Sequence, residues 1–214
     1  MEKAFLILND YWTEFITLAG LHLLAVISPG PDFVITVNQS MKYGIKVGLY
    51  TAAGIATGIF LHVTYSLLGI GLFIQQTEWL FTGLRYAAAA YLGYLGVKSM
   101  MAKPMKKLED LKESNEVISF KKAFRKGFFT NALNPKATLF FLTLYITVVS
   151  NSTPILLQGV YGLYLAISTF IWFCIVSILF GNAKTRSLFF NVSHRLEQVT
   201  GLIFIALAIK LVLN

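Results

Sequence analysis

The sequence holds a single cysteine, Cys174, and places it in an apolar run. A lone thiol supplies neither a disulfide framework nor a cysteine-based metal site. Charge is scarce too: 13% of the 214 residues are Asp, Glu, Lys or Arg, where soluble domains carry roughly a quarter. The HExxH, GxSxG and P-loop patterns are missing, so a catalytic reading has no starting point. The chain therefore reads as a protein that is not an enzyme, with no catalytic residue, no metal ligand set and no cofactor. At the N-terminus, MEKAFLILNDYWTEF has one lysine, three acids by Glu14 and no small-residue cleavage site. It is expected to be retained rather than removed as a signal peptide.

What is present is apolar. Hydrophobic residues make up 56% of the chain and the mean hydropathy is +0.67. No charge lies between Lys46 and Glu78, or between Lys136 and Lys184. About 20 apolar residues cross the hydrocarbon as a helix, so each run holds one or more spans. The reading is an all-α integral membrane protein with six transmembrane helices. They are expected over about 13–39, 47–74, 79–101, 127–150, 155–181 and 195–213. Residues 1–102 form a first three-helix unit, 103–126 a basic cytoplasmic loop, and 127–214 a second three-helix unit.

Orientation follows from the basic residues. Of 18 Lys and Arg, all but Lys3, Arg85, Lys136 and Lys210 fall beside the loops after the first, third and fifth spans. Cytoplasmic loops collect positive charge, so these loops face inward and both termini face out. Trp12 and Trp79 then sit at the outer interface. The net charge of +8 is a topology signal, and no nucleic-acid partner is implied.

Two spans are interrupted. The first contains VISPGPDF, the fourth NALNPKATLFF, and in each a proline precedes an ionisable residue: Pro31 then Asp32, Pro135 then Lys136. Three spans per half set the halves in opposite senses, which makes this a 3+3 inverted repeat with proline-broken first and fourth helices. In such repeats the broken helices meet and form the transport site. Proline lacks an N–H and clashes one turn back, which frees backbone groups. In lipid such groups persist only where protein or a water-filled cavity surrounds them.

Ser28, Asn131 and Asn134 are placed to hydrogen-bond that backbone or a ligand. Asp32 and Lys136 are costly in a membrane and so functional or paired; they are expected to face and pair with each other in one transport state. Gly44, Gly48, Gly54 and Gly58, and Ala87–Ala90 with Gly93 and Gly96, read as close helix packing. His22 and His62 read as hydrogen-bonded packing residues.

SPGPDF, YGIKVGLYTAAGIATG, AAYLGYLGVK and FRKGFFTNALNPKATLFF together resemble the LysE/RhtB family of amino-acid exporters along essentially the whole chain. The resemblance implies efflux of amino acids or their derivatives across a prokaryotic cytoplasmic membrane, with protons as the coupling ion and a homodimer in the lipid bilayer. Its motif positions are Ser28, Pro29, Gly30, Pro31 and Asp32, with Asn131, Asn134, Pro135 and Lys136. Members often carry a further proline late in the fourth span, where this chain has LYITVVSNSTP and reaches Pro154 only after the span ends. The reading is a secondary exporter of zwitterions, the amino group meeting Asp32 and the carboxylate Lys136 or a half-helix N-terminus. The wider superfamily offers cadmium- or nickel-type metal efflux as the alternative.

Overall fold

The computed structural model describes residues 2–68, 78–102, 116–150, 152–181 and 183–213. The described chain is helical, with no strand among these residues. Its elements are α1 (Glu2–Ile27), α2 (Pro31–Tyr43), α3 (Ile45–Leu68), α4 (Glu78–Met100), α5 (Phe120–Ala132), α6 (Pro135–Thr147), α7 (Ile155–Gly181) and α8 (Ala183–Leu213).

Both expected interruptions are breaks between separate helices. Pro31 opens α2 and Pro135 opens α6 at the first helical positions. There the missing N–H costs nothing and the fixed φ suits the helix. The first break bends Tyr11–Ile27 against Pro31–Tyr43 by 53°. By length and composition Ile45–Leu68, Ile155–Gly181 and His194–Leu213 are able to cross a membrane, and the bent pair raises the number to four. α4 and the α5–α6 pair are not among them.

Several boundaries move. α5 begins at Phe120, inside the segment read as loop, because Ser119 caps it: its hydroxyl accepts the Lys122 N–H at 3.3 Å. α8 begins at Ala183 rather than 195, since residues 183–200 contain no proline or glycine to stop it. Residues 69–74 of the second expected span and 103–115 of the loop lie outside the described residues.

Glycine sets the helix spacing. A Cβ on Gly54 would collide with the Phe124 carbonyl, and one on Gly127 with the Thr51 carbonyl, so α3 and α5 touch backbone to backbone. Gly96 and Gly201 do the same for α4 and α8, and Gly162 admits Val63 between α3 and α7. These are the small-residue contacts expected of membrane helices. Gly44 differs from the packing role expected of it. With φ +87° it ends α2 in a conformation that L side chains rarely adopt, and its N–H returns to the Ser40 carbonyl.

Two large buried clusters result, beside a small one of Val47, Ile118 and Ala123. Of the large pair, one gathers Leu18, Ile59, Val63, Phe140, Phe141, Tyr161, Leu165 and Phe204; the other gathers Phe33, Val37, Met41, Ile55, Phe173 and Phe180. Outside them, Leu163, Ile167, Ile171 and Ile178 of α7 are exposed. A large apolar face of this kind suits contact with lipid. On α1, Glu14 accepts from the Ser150 N–H and the Thr153 hydroxyl at 3.0 Å, tying that helix to the α6–α7 turn.

Candidate functional site

The two breaks converge. Ser28, Gly30 and Asp32 from the first, and Asn131, Asn134 and Lys136 from the second, line one half-open cavity of about 60 Å³. That is room for a few waters or the polar head of a small solute. His22, Thr169, Ile59, five phenylalanines (Phe33, Phe140, Phe141, Phe173, Phe204) and the small side chains of Ala25, Val26 and Ala137 complete the wall. The cavity therefore lies where the two large buried clusters meet. Pro29, Pro31 and Pro135 shape the breaks and are not among the lining residues.

Each break presents its charge for a local reason. At the first, Gly30 is the N-cap of α2 and offers no side-chain cap; Asp32 then lies in the first turn, where the helix dipole favours an anion. At the second, the Asn134 side chain caps α6 by accepting the Lys136 N–H at 3.0 Å. A lysine in that first turn opposes the dipole, so Lys136 does not serve the helix that carries it.

In this state Asp32 and Lys136 face one cavity without forming an ion pair. The Lys136 ammonium donates to the Ser28 hydroxyl at 2.9 Å and lies 5.6 Å from the centre of the Phe204 ring. Asp32 Oδ2 instead accepts from the Asn131 amide at 2.9 Å and the Asn134 amide at 3.3 Å. Each charge is thus held by neutral groups across the break: the acid by two amides of the second half, the cation by a hydroxyl of the first. Among the described residues, Asp32 Oδ1 and Asn131 Oδ1 are buried with no hydrogen-bond partner. Buried acceptors without partners are rare and mark unmet binding capacity.

Two histidines flank the site, where the sequence favours packing over ligand binding for both. His22 lines the cavity, its ring nitrogens 3.1 Å from the Thr169 hydroxyl and 3.3 Å from that of Ser168. His62, fully buried, reaches the Asn131 carbonyl at 3.0 Å and the Tyr65 hydroxyl at 2.7 Å. Both rings rest against Phe141, His62 stacked and His22 edge-on. The available signal was a histidine followed at i+3 by a tyrosine inside a helix with no charge after Lys46. Among the described residues no three His, Cys, Asp or Glu side chains converge as metal ligands.

A model of the family described as LysE type translocator matches residues 23–214, both breaks included. The chain belongs to the LysE type translocator family. Relatives of this translocator are similar over nearly its whole length. The uncharacterized membrane protein YrhP of Bacillus subtilis is 30% identical over 198 residues, 87% of this chain and 92% of its own. The threonine efflux protein of Salmonella typhi is 28% identical over 203 residues, covering 94% and 98%. The leucine efflux protein of Salmonella choleraesuis is 28% identical over 207 residues, covering 94% of each. No solved structure matches this translocator.

Proposed function

We propose that this translocator exports amino acids or small amino-acid derivatives from the prokaryotic cytoplasm as a secondary transporter driven by protons. One observation carries the reading: a single cavity holds both a carboxylate with a free oxygen, Asp32 Oδ1, and the ammonium of Lys136. A zwitterion needs one partner of each sign, and charge-assisted contacts are the strong ones. The α-amino group goes to Asp32 and the α-carboxylate to Lys136 with Ser28. The printed activities of the threonine and leucine efflux relatives support an amino acid as cargo.

The same reading takes the chain as six spans in a 3+3 inverted repeat, with both termini outside. In its support, α3 packs on α7 and α4 on α8, each pair joining helices of equal rank in the two halves. The test is counterflow of labelled threonine and leucine in proteoliposomes, with and without a pH gradient. Uptake driven by unlabelled amino acid inside, and enhanced by the gradient, is the expected result. Protein that exchanges no amino acid would sink the reading.

A further inference from the structure

His62 and Tyr65 straddle the second break. They are neighbours on one face of α3, at the i, i+3 spacing. Through them α3 reaches both half-helices: His62 Nε2 lies 3.0 Å from the Asn131 carbonyl in the last turn of α5, and the Tyr65 hydroxyl lies 3.2 Å from the Thr138 carbonyl in the first turn of α6. Between them, His62 Nδ1 and the Tyr65 oxygen are 2.7 Å apart. Asn131 then passes the connection to the site, since its side-chain amide donates to Asp32.

The donors in this chain do not balance for a neutral ring. A carbonyl only accepts, so His62 Nε2 must carry a hydrogen to bond Asn131. In neutral imidazole Nδ1 is then bare, and the Tyr65 hydrogen turns toward it, leaving the Thr138 carbonyl without that donor. When the ring takes a second proton, Nδ1–H donates to the Tyr65 oxygen and the Tyr65 hydrogen turns to Thr138. All three bonds are then made together. The charge state of one ring decides whether these hydrogen bonds join α3 to α5 alone or to both sides of the break.

We propose that His62 is a proton-binding site whose occupancy fastens α6 to α3 through Tyr65 and so sets the geometry of the break that carries Lys136. The proton enters on Nδ1 and no covalent bond changes apart from that N–H. The groups around His62 are compatible with this role. Tyr65 shares its helix, Asp32 of α2 connects to it through Asn131, and Lys136 lies two residues before Thr138 on α6. Tyr145 of α6 and Tyr161 of α7 belong to the same buried cluster as Ile59 and Val63, three residues before and one after His62. The basic residues of α5, Lys121 to Lys126, occupy its opposite end. Among the described residues no carboxylate contacts His62 directly, so its charge is answered by oriented oxygens. The proposal rests on the proton-driven export proposed above, as the mechanism by which a proton would act on the site.

Two measurements test it, one of them independent of cargo. In the first, hydrogen exchange of the 131–142 segment is followed in nanodiscs from about pH 5 to 8, corrected for the intrinsic rate. Protection of the wild type is expected to rise about fivefold toward low pH, the worth of one net hydrogen bond. His62→Gln keeps a donor for Asn131 without titrating, and Tyr65→Phe removes only the switching hydrogen; both are expected to show flat profiles. In the second, counterflow at equal pH is expected to persist in both variants while stimulation by the proton gradient is lost. Either variant reproducing the wild-type pH profile and the gradient response overturns the proposal. A wild type with pH-dependent protection that moves no amino acid would overturn the cargo assignment and leave His62 standing.

Discussion

Asn131 and Asp32, 99 positions apart in the chain, meet through a 2.9 Å hydrogen bond from amide to carboxylate. The acid of the first break is oriented by the second, and among the described residues nothing bonds its other oxygen, Oδ1. Removing the amide therefore reaches the ligand through Asp32. Asn131→Ala is expected to lower the apparent Tm, because a hydrogen bond to a charged group contributes about 1.5–3 kcal/mol. Export in cells should fall with it, and Asn131→Asp, which sets a second acid against the first, should be the more damaging of the two.

Asp32→Asn separates fold from charge. The amide oxygen still accepts from Asn131 and Asn134, so the protein should melt near the wild-type temperature. Counterflow should fall about tenfold or more, the difference between a charged and a neutral hydrogen bond to the cargo. Purified variant and wild type compared by thermal shift with added amino acid would read the same loss directly.

Lys136→Gln makes the opposite trade. A lysine in the first turn of α6 works against the helix dipole, by about 0.3–1 kcal/mol. The variant is expected to be at least as stable as the wild type and to lose export. Ser28→Ala removes one neutral partner of the ammonium, and a KM raised about fivefold is expected in counterflow, with the maximal rate little changed.

How far all this was legible in the sequence depends on the kind of signal. Pro31 and Pro135 declared the breaks, because a proline has few places to go in an apolar run, and the charges behind them pointed to the residues that share the cavity. Ser119 was a readable N-cap, yet the four basic residues that follow it made the start of α5 look like loop. The pairing of Asp32 with Lys136 in one transport state was read from charge; in the state described, two asparagine amides and a serine hydroxyl hold them separately. That choice depends on how α2, α5 and α6 cross, which no local pattern encodes. The phenylalanines of the cavity wall were lost among 18 in an apolar chain.

Glycine contacts give a stability prediction with an internal control. Gly127→Ala forces a methyl group into the Thr51 carbonyl, where neither backbone is able to give way. A loss of about 1–3 kcal/mol is expected, seen as a lower Tm in detergent. Gly83→Ala meets nothing within 4 Å among the described residues and should be silent or slightly stabilising.

Topology is accessible through the lone cysteine. In a Cys174→Ser background, single cysteines introduced at Lys107 and Asn214 should label from opposite sides of intact cells. Lys107→Cys is expected to be protected from an impermeant maleimide and Asn214→Cys to react. Labelling of both from outside would overturn the six-span orientation.

The cross-holding of the two breaks also sets an order of events in synthesis. Asp32 leaves the ribosome 99 residues before Asn131. At about 5–20 residues per second that is a wait of roughly 5–20 s. Throughout it the carboxylate has neither of its amides, and an unpaired charge is poorly tolerated in hydrocarbon. The first broken helix must therefore linger at the insertion machinery or at the membrane surface until the second arrives. The site between the breaks cannot assemble before the second break is made, and its wall waits further for Phe204 of α8.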